Sequence, residues 1–248
     1  MIEKQIDIAT RDGAMTTFIC HPERGGPHPA IVFYMDAPGI REELRDMARR
    51  LGTAGYYVLL PNLYYRSGVM ELGQFSGAAD AAVRARMMEL MNSLTIALIM
   101  DDTDALMGQI DADPAADGAR VGAVGYCMSG QFAISAAARH PDRVAAAASL
   151  YGVRLVTDQS DSPHLAAARA TGELYFGCAE TDRWAPLEMV ETLRGALADR
   201  GVDAEVEIYR GVEHGFAFPQ RAAYDKASAE RHWERLLALF GRRLRIGG

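Results

Sequence analysis

Short apolar runs recur along the chain, and most of them are separated by segments of helical period. Near the amino terminus, residues 4–10 (KQIDIAT) and 16–22 (TTFICHP) alternate in polarity around the turn sequence RDG, which predicts an antiparallel hairpin. Six later runs are apolar almost throughout, as is typical of strands buried on both faces of a sheet. They cover residues 29–35, 56–61, 119–126, 144–151, 172–178 and 204–210.

Segments of helical period lie between most of these runs. Strands that alternate with helices predict right-handed connections and a mostly parallel central sheet with helices on both faces, an α/β fold. The segment 152–171 has no clear helical period, and we expect a single domain over residues 1–248. The predicted helices cover residues 41–54, 78–110, 129–139, 186–200 and 221–243.

Composition narrows the possible partners. Lysine and arginine number 26 against 33 aspartate and glutamate, a formal net charge of −7 without a basic block, so we expect no nucleic-acid partner. The amino terminus lacks the features of a signal peptide, and no apolar run approaches the ~18 residues of a membrane span. The three cysteines are too scattered for a disulfide framework or a zinc site. We expect a cytoplasmic protein that does not associate with a membrane and binds no metal ion or cofactor.

One cysteine stands between glycines directly after an apolar run, in GAVGYCMSGQF (122–132). Small residues before and after Cys127 allow the sharp strand-to-helix turn of a nucleophile elbow. Such a turn points the Met128 N–H toward an anion beside the sulfur, as an oxyanion donor would. The alternative is that Cys127 is a small buried thiol and the glycines merely pack.

Partners for a nucleophile follow in the order acid, then histidine. Asp182 comes after the run ELYFGC, and His214 comes after AEVEIYR, so both lie just past predicted strand ends. Separately, Asp182 could cap the helix at 186–200 and His214 could be an ordinary loop histidine. Jointly, in this order and at one edge of one sheet, Cys127, Asp182 and His214 predict a catalytic triad.

Five short motifs stand in order along the chain. They are PNLYYR (61–66), the cysteine elbow GYCMSG (125–130), YG (151–152), the acid loop DRWAP (182–186) and the histidine loop YRGVEHGF (209–216). Together these motifs resemble the dienelactone hydrolase family of α/β-hydrolases. The resemblance implies the α/β-hydrolase fold and a cysteine-dependent hydrolase of esters or lactones, of the carboxymethylenebutenolidase class.

The loop after the strand at 29–35 contributes two further candidates. The Ala37 N–H would be the second oxyanion donor. Asp36 stands where the family often has a glutamate, and a carboxylate there can keep the Cys127 thiol neutral or orient it. The alternative is that Asp36 caps the helix at 41–54.

The residues expected to bind the substrate differ from the family pattern. Relatives often carry an arginine four residues after the histidine, to hold a substrate carboxylate, and here that position is Phe218. Arg66, Arg84 or Arg86 could serve instead, although such an arginine is more often a solvated helix or loop charge. We therefore expect an apolar pocket and a neutral or weakly charged substrate. The candidate binding residues are Tyr64, Tyr65, Arg84, Trp184 and Phe218, with Met87, Met88 and Met91 as pocket or core residues.

Two hypotheses of different class follow. The first is a hydrolase of a small ester or lactone, monomeric or weakly dimeric, in which a thioester forms on Cys127. The second is a non-catalytic scaffold that binds a small molecule or senses oxidation through Cys127. A pure receptor has no need for both Asp182 and His214, so the residues favour the hydrolase.

Overall fold

The computed structural model describes residues 1–73 and 81–244. Within them, eight strands form one sheet in the order β1-β2-β4-β3-β5-β6-β7-β8. The strands are β1 (Ile2–Thr10), β2 (Gly13–His21), β3 (His28–Tyr34), β4 (Tyr57–Pro61), β5 (Ala116–Tyr126), β6 (Val144–Leu150), β7 (Glu173–Thr181) and β8 (Ala204–Glu213).

Strand pairing agrees with the hydrophobic pattern. β1 and β2 form the predicted antiparallel hairpin, and β2 also pairs antiparallel with β4. Every other pair, from β4 to β8, is parallel. The predicted mostly parallel sheet is confirmed, and the central strands β3, β5 and β6 are buried on both faces along most of their length.

Helices cover both faces of the sheet. They are α1 (Glu42–Thr53), α2 (Ala81–Ser93), α3 (Ile96–Ala112), α4 (Gly130–Arg139), α5 (Pro163–Ala166), α6 (Leu187–Asp199) and α7 (Lys226–Leu244). On one face α1 contacts α7, where Arg50 forms an ion pair with Glu230 and stacks 4.7 Å from the Trp233 ring. On the other face α3 packs against α4, and α5 contacts both α4 and α6.

Three helix predictions were wrong in detail. The segment 78–110 is not one helix: the chain breaks between α2 and α3, where the Thr95 side chain caps α3 by accepting the Leu98 N–H at 3.2 Å. Residues 78–80 lie outside the described residues. The last helix begins at Lys226 rather than 221, because residues 221–225 form turns, and the segment 152–171 contains the short helix α5.

The carboxyl ends of the parallel strands meet at one edge of the sheet. Asp36 and Ala37 lie there after the end of β3, and Cys127 lies there after the end of β5. β7 and β8 deliver Asp182 and His214 to the same edge. The sheet order therefore brings together residues that are far apart in the chain.

Among the described residues, no helix has the length and apolar character needed to cross a lipid bilayer.

Candidate active site

Cys127 lies at a sharp turn between β5 and α4. Its φ of 55° is in the left-handed region that residues with a Cβ rarely adopt. A side chain at Gly125 would collide with the Ser129 carbonyl, and one at Gly130 would collide with the Ser149 hydroxyl. These glycines are what allow the turn to close, and the strained geometry is that of a nucleophile elbow.

Asp182 and His214 form the pair that the sequence predicts. His214 Nδ1 lies 2.6 Å from Asp182 Oδ2, and both side chains are largely buried. The other Asp182 oxygen accepts the backbone N–H groups of Trp184 at 2.8 Å and Ala185 at 3.0 Å. Asp182 is therefore fixed by its own loop and in turn fixes the orientation of the imidazole.

The second imidazole nitrogen lies on the Cys127 side. Nε2 of His214 is buried and makes no hydrogen bond of normal geometry with any residue that the structure describes. Burial alone would lower the pKa of His214, but the Asp182 hydrogen bond and the neighbouring Cys127 sulfur raise it to about 9. Catalytic hydrogen bonds are often long before substrate binds, so the geometry suits a proton transfer between Cys127 and His214.

One of the two predicted oxyanion donors belongs to the elbow, and the other belongs to a neighbouring loop. Met128 follows Cys127, and Ala37 lines the same cavity from the loop after β3. The Ser129 hydroxyl donates to the Met35 carbonyl, which ties the elbow to the end of β3. On the other side, the Val153 N–H donates to the Cys127 carbonyl at 3.0 Å. The elbow is thus held by backbone and side-chain contacts from two neighbouring strands.

Asp36 does not cap helix α1, because Arg41 holds the N-cap position and its side chain makes no capping hydrogen bond there. Both oxygens of the fully buried Asp36 carboxylate instead accept hydrogen bonds from arginines. Arg41 binds it at 2.6 and 3.2 Å, and Arg221 binds it at 2.6 Å. Glu43 binds the far side of Arg41, so Asp36 belongs to a buried network of four opposed charges.

A cavity of about 500 Å³ opens above Cys127 and His214, within the size range of small-molecule sites. Trp184, which is 43% exposed, forms part of its rim. No carboxylate lines this cavity in the part of the chain that the structure describes. Its apolar wall consists of Ala37, Pro38, Met87, Met88, Met91 and Val153, and its cationic groups are Arg84, Arg183 and Arg221.

The structure places two of the five predicted binding residues on the cavity wall, Arg84 and Trp184. Phe218 is not on the wall: it is fully buried, with its ring 5.2 Å from the Arg41 guanidinium and 5.0 Å from that of Arg221. Tyr64 is also buried, behind the wall.

Tyr65 is directed away from the cavity and donates to Asp102 of α3 at 2.9 Å. Arg66 is bound to the same carboxylate at 2.8 Å, so neither side chain can reach a substrate from its present position. Arg86 pairs with Glu89 on the exposed side of α2. Of the three arginines considered from the sequence, Arg84 is the one that reaches the cavity.

Two cationic groups of the cavity escaped the sequence analysis. Arg183 lies between the predicted acid and Trp184, and its guanidinium stacks 5.0 Å from the Trp184 ring. Arg221 is seven residues beyond His214, where no spacing rule pointed to it. The expectation of a neutral substrate rested on the absence of such an arginine, and that premise was wrong.

A search of residues 1–73 and 81–244 finds no cluster of three or more histidine, cysteine, aspartate or glutamate side chains arranged for a metal ion.

Comparison with known families identifies this architecture. The model of the Dienelactone hydrolase family matches residues 15–244. The chain belongs to the dienelactone hydrolase family. The resemblance inferred from the five motifs is confirmed, and so is the α/β-hydrolase fold.

Individual relatives cover almost the whole chain. A protein of Escherichia coli strain K12 that carries the name carboxymethylenebutenolidase is 30% identical over 241 residues, which cover 94% of this chain and 84% of that protein. A Bradyrhizobium protein that carries the name 2-oxo-3-(5-oxofuran-2-ylidene)propanoate lactonase is 25% identical over 236 residues. These residues cover 94% of this chain and 91% of that protein.

A solved structure agrees with these relatives. The Klebsiella pneumoniae subsp. pneumoniae MGH 78578 protein to which the name dienelactone hydrolase is assigned matches with a TM-score of 0.85 and 26% identity. The match covers 97% of this chain and 98% of that one. This member of the dienelactone hydrolase family is therefore a hydrolase that acts on esters or lactones.

Proposed function

We propose that the protein hydrolyses its ester or lactone through a Cys127–His214–Asp182 triad and a thioester intermediate. The observation that carries the proposal is the convergence of these residues at one cavity, with Asp182 bound to His214 Nδ1 and Cys127 on the other side of the ring. The strained elbow at Cys127 supports it, because such strain is retained where the surrounding structure holds a functional group in place.

The reaction proceeds in two stages. His214 takes the Cys127 proton, and Asp182 stabilises the imidazolium that forms. The sulfur attacks the acyl carbon while the N–H groups of Ala37 and Met128 hold the oxyanion. His214 then returns its proton to the departing alkoxide, and a thioester remains on Cys127. In the second stage His214 activates water, which hydrolyses the thioester and restores the thiol.

The substrate carries a carboxylate in this proposal. Three arginines line an otherwise apolar cavity, and no carboxylate lies among the lining residues in the part of the chain that is described. The fully buried Asp36 pairs with one of them, Arg221, from outside the lining. Arg221 is the best placed, since Phe218 and Asp36 fix its guanidinium beside the site. The name of the Bradyrhizobium relative denotes a propanoate, an acid-bearing lactone, which agrees with this charge pattern.

Substrate hydrolysis by matched variants tests the proposal. Wild-type protein should hydrolyse p-nitrophenyl acetate and a small acid-bearing lactone, and Cys127→Ala should abolish both activities. Cys178→Ala is the control, because Cys178 is a buried thiol of β7 that does not line the cavity. Full activity of Cys127→Ala would exclude the triad mechanism. Binding of the lactone without turnover by wild type would instead favour the non-catalytic scaffold.

A further inference from the structure

The Tyr64 hydroxyl lies between the two residues assigned as oxyanion donors. It donates a hydrogen bond of 2.9 Å to the Ala37 carbonyl and lies 3.2 Å from the Met128 sulfur. Ala37 belongs to the loop after β3, and Met128 to the elbow after β5. Tyr64 itself follows β4, so one side chain from a third segment joins the two.

The position of Tyr64 is closely determined. Its side chain is 1% exposed, and its backbone N–H donates to the Asn62 side chain at 3.0 Å. The Asn62 amide in turn donates to the Val69 carbonyl at 2.9 Å, which fixes the turn that follows β4. A buried ring on a fixed turn leaves its hydroxyl little freedom to move away from Ala37.

The same turn supports the loop that contains Ala37 at two further points. The Ile40 N–H donates to the Met70 carbonyl at 2.8 Å, and the Leu72 N–H donates to the Pro38 carbonyl at 2.9 Å. These bonds hold the far part of the loop. Tyr64 also reaches the elbow, and it does so closer to the two donors than the Ser129 hydroxyl, which binds the Met35 carbonyl at the end of β3.

The hydroxyl is suited to remain a donor at every working pH. Burial, together with the nearby Asp36 and Cys127, raises the pKa of Tyr64. A phenol that stays protonated near neutral pH can donate its hydrogen bond to the Ala37 carbonyl.

We propose that Tyr64 is a positioning residue for the oxyanion hole: its hydroxyl holds the Ala37 loop at a fixed distance from Met128, so that the two N–H groups converge on one oxygen. The proposal rests on the triad mechanism proposed above. Convergence matters because the donors stabilise the oxyanion when they are already aimed at its position before it forms. Tyr64 was considered a substrate-binding residue from the sequence, and its place behind the wall assigns it this different role.

Two reactions of the Cys127 sulfur distinguish a positioning role of Tyr64 from a general disturbance of the structure. Acylation by p-nitrophenyl acetate passes through an oxyanion, whereas alkylation by iodoacetamide does not. In alkylation the sulfur forms a bond to the methylene carbon, the carbon–iodine bond breaks and iodide leaves. Tyr64→Phe should therefore lower the single-turnover acylation rate constant about tenfold, less than the ~10²-fold or greater loss typical of a deleted donor. The substrate concentration that gives half-maximal acylation should stay within about twofold of the wild-type value, and so should the rate of alkylation.

Tyr175→Phe is the matched control, because it removes another buried hydroxyl with two partners, Glu207 and Tyr209, away from the cavity. It should leave both rates unchanged. An unchanged acylation rate in Tyr64→Phe overturns the proposal, and so does an equal loss of acylation and alkylation, which would mean that Tyr64 acts on the thiol or the fold. If Cys127→Ala acylates as fast as wild type, the triad mechanism itself fails.

Discussion

Arg221 Nη2 lies 2.6 Å from Asp36 Oδ2, although 185 positions separate the two residues in the chain. The contact holds the loop after His214 against the loop after β3. Arg221 also lines the cavity, where we propose that its guanidinium binds a substrate carboxylate.

Removal of Arg221 should change the preference for substrate charge. Wild type should favour a free-acid ester over its methyl-ester counterpart, and Arg221→Gln should lower kcat/KM for the acid by roughly 10- to 100-fold, since a hydrogen bond to a charged group contributes about 1.5–3 kcal/mol. The methyl ester should be affected much less. Arg86→Gln removes the same charge without touching the cavity and should change neither value. A wild-type preference for the methyl ester would refute the assignment of Arg221.

Asp36→Asn tests whether Asp36 acts on the fold or on the thiol. The change leaves two arginines without their buried carboxylate, so the unfolding free energy should fall by about 3 kcal/mol in urea titration. Asp12→Asn removes a carboxylate that pairs with Arg66 at the surface, and it should have little effect. Unchanged stability together with faster alkylation of Cys127 would show instead that Asp36 modulates the thiol.

The three cysteines should differ sharply in reactivity. Burial raises the pKa of Cys20 and of Cys178 to about 12, so both remain thiols near neutral pH. Cys127 lines the cavity beside His214 and should react with iodoacetamide many times faster, with loss of turnover. Peptide mass spectrometry at short times measures the three sites together. Equal labelling of all three would contradict a nucleophilic role for Cys127.

The Asp182–His214 pair predicts a pH dependence of stability. The pKa of His214 rises from 6.5 to about 9 on folding, so the folded protein binds more protons than the unfolded chain between these values. The resulting stabilisation is complete below pH 6.5 and is lost as the pH rises through 9. Asp182→Asn should reduce this slope, while the part due to Cys127 remains, and it should lower kcat by orders of magnitude, about 10⁴ being the precedent in a serine triad. A slope equal to that of wild type would mean that another group holds the imidazole.

Much of the site could be predicted from the sequence, because strand ends are local features. Each of Cys127, Asp182 and His214 is the first residue after its strand, and parallel strands must bring such positions to one edge. The glycines around Cys127 showed the turn, since a Cβ there would collide with neighbouring backbone or side-chain atoms.

The residues that sequence analysis missed depend on tertiary packing. The direction of Arg221 depends on how the chain turns over residues 214–225, and no periodic pattern records that path. Phe218 was expected at the wall, but its ring is buried between two guanidinium groups. The break between α2 and α3 was missed because no proline or glycine interrupts residues 90–98, and the Thr95 cap is evident only from its hydrogen bond.

The central claim is that the acyl group is transferred to the Cys127 sulfur. The most direct measurement is mass spectrometry of protein quenched with acid within the first turnovers of p-nitrophenyl acetate, followed by peptide mapping. We expect one acetyl group per chain, on the peptide that contains Cys127, formed and lost at rates compatible with kcat and absent from Cys127→Ala. The experiment is done under conditions where Asp182→Asn slows hydrolysis of an added thioester. If turnover then proceeds with no acetyl group on Cys127 at any time, the mechanism is contradicted.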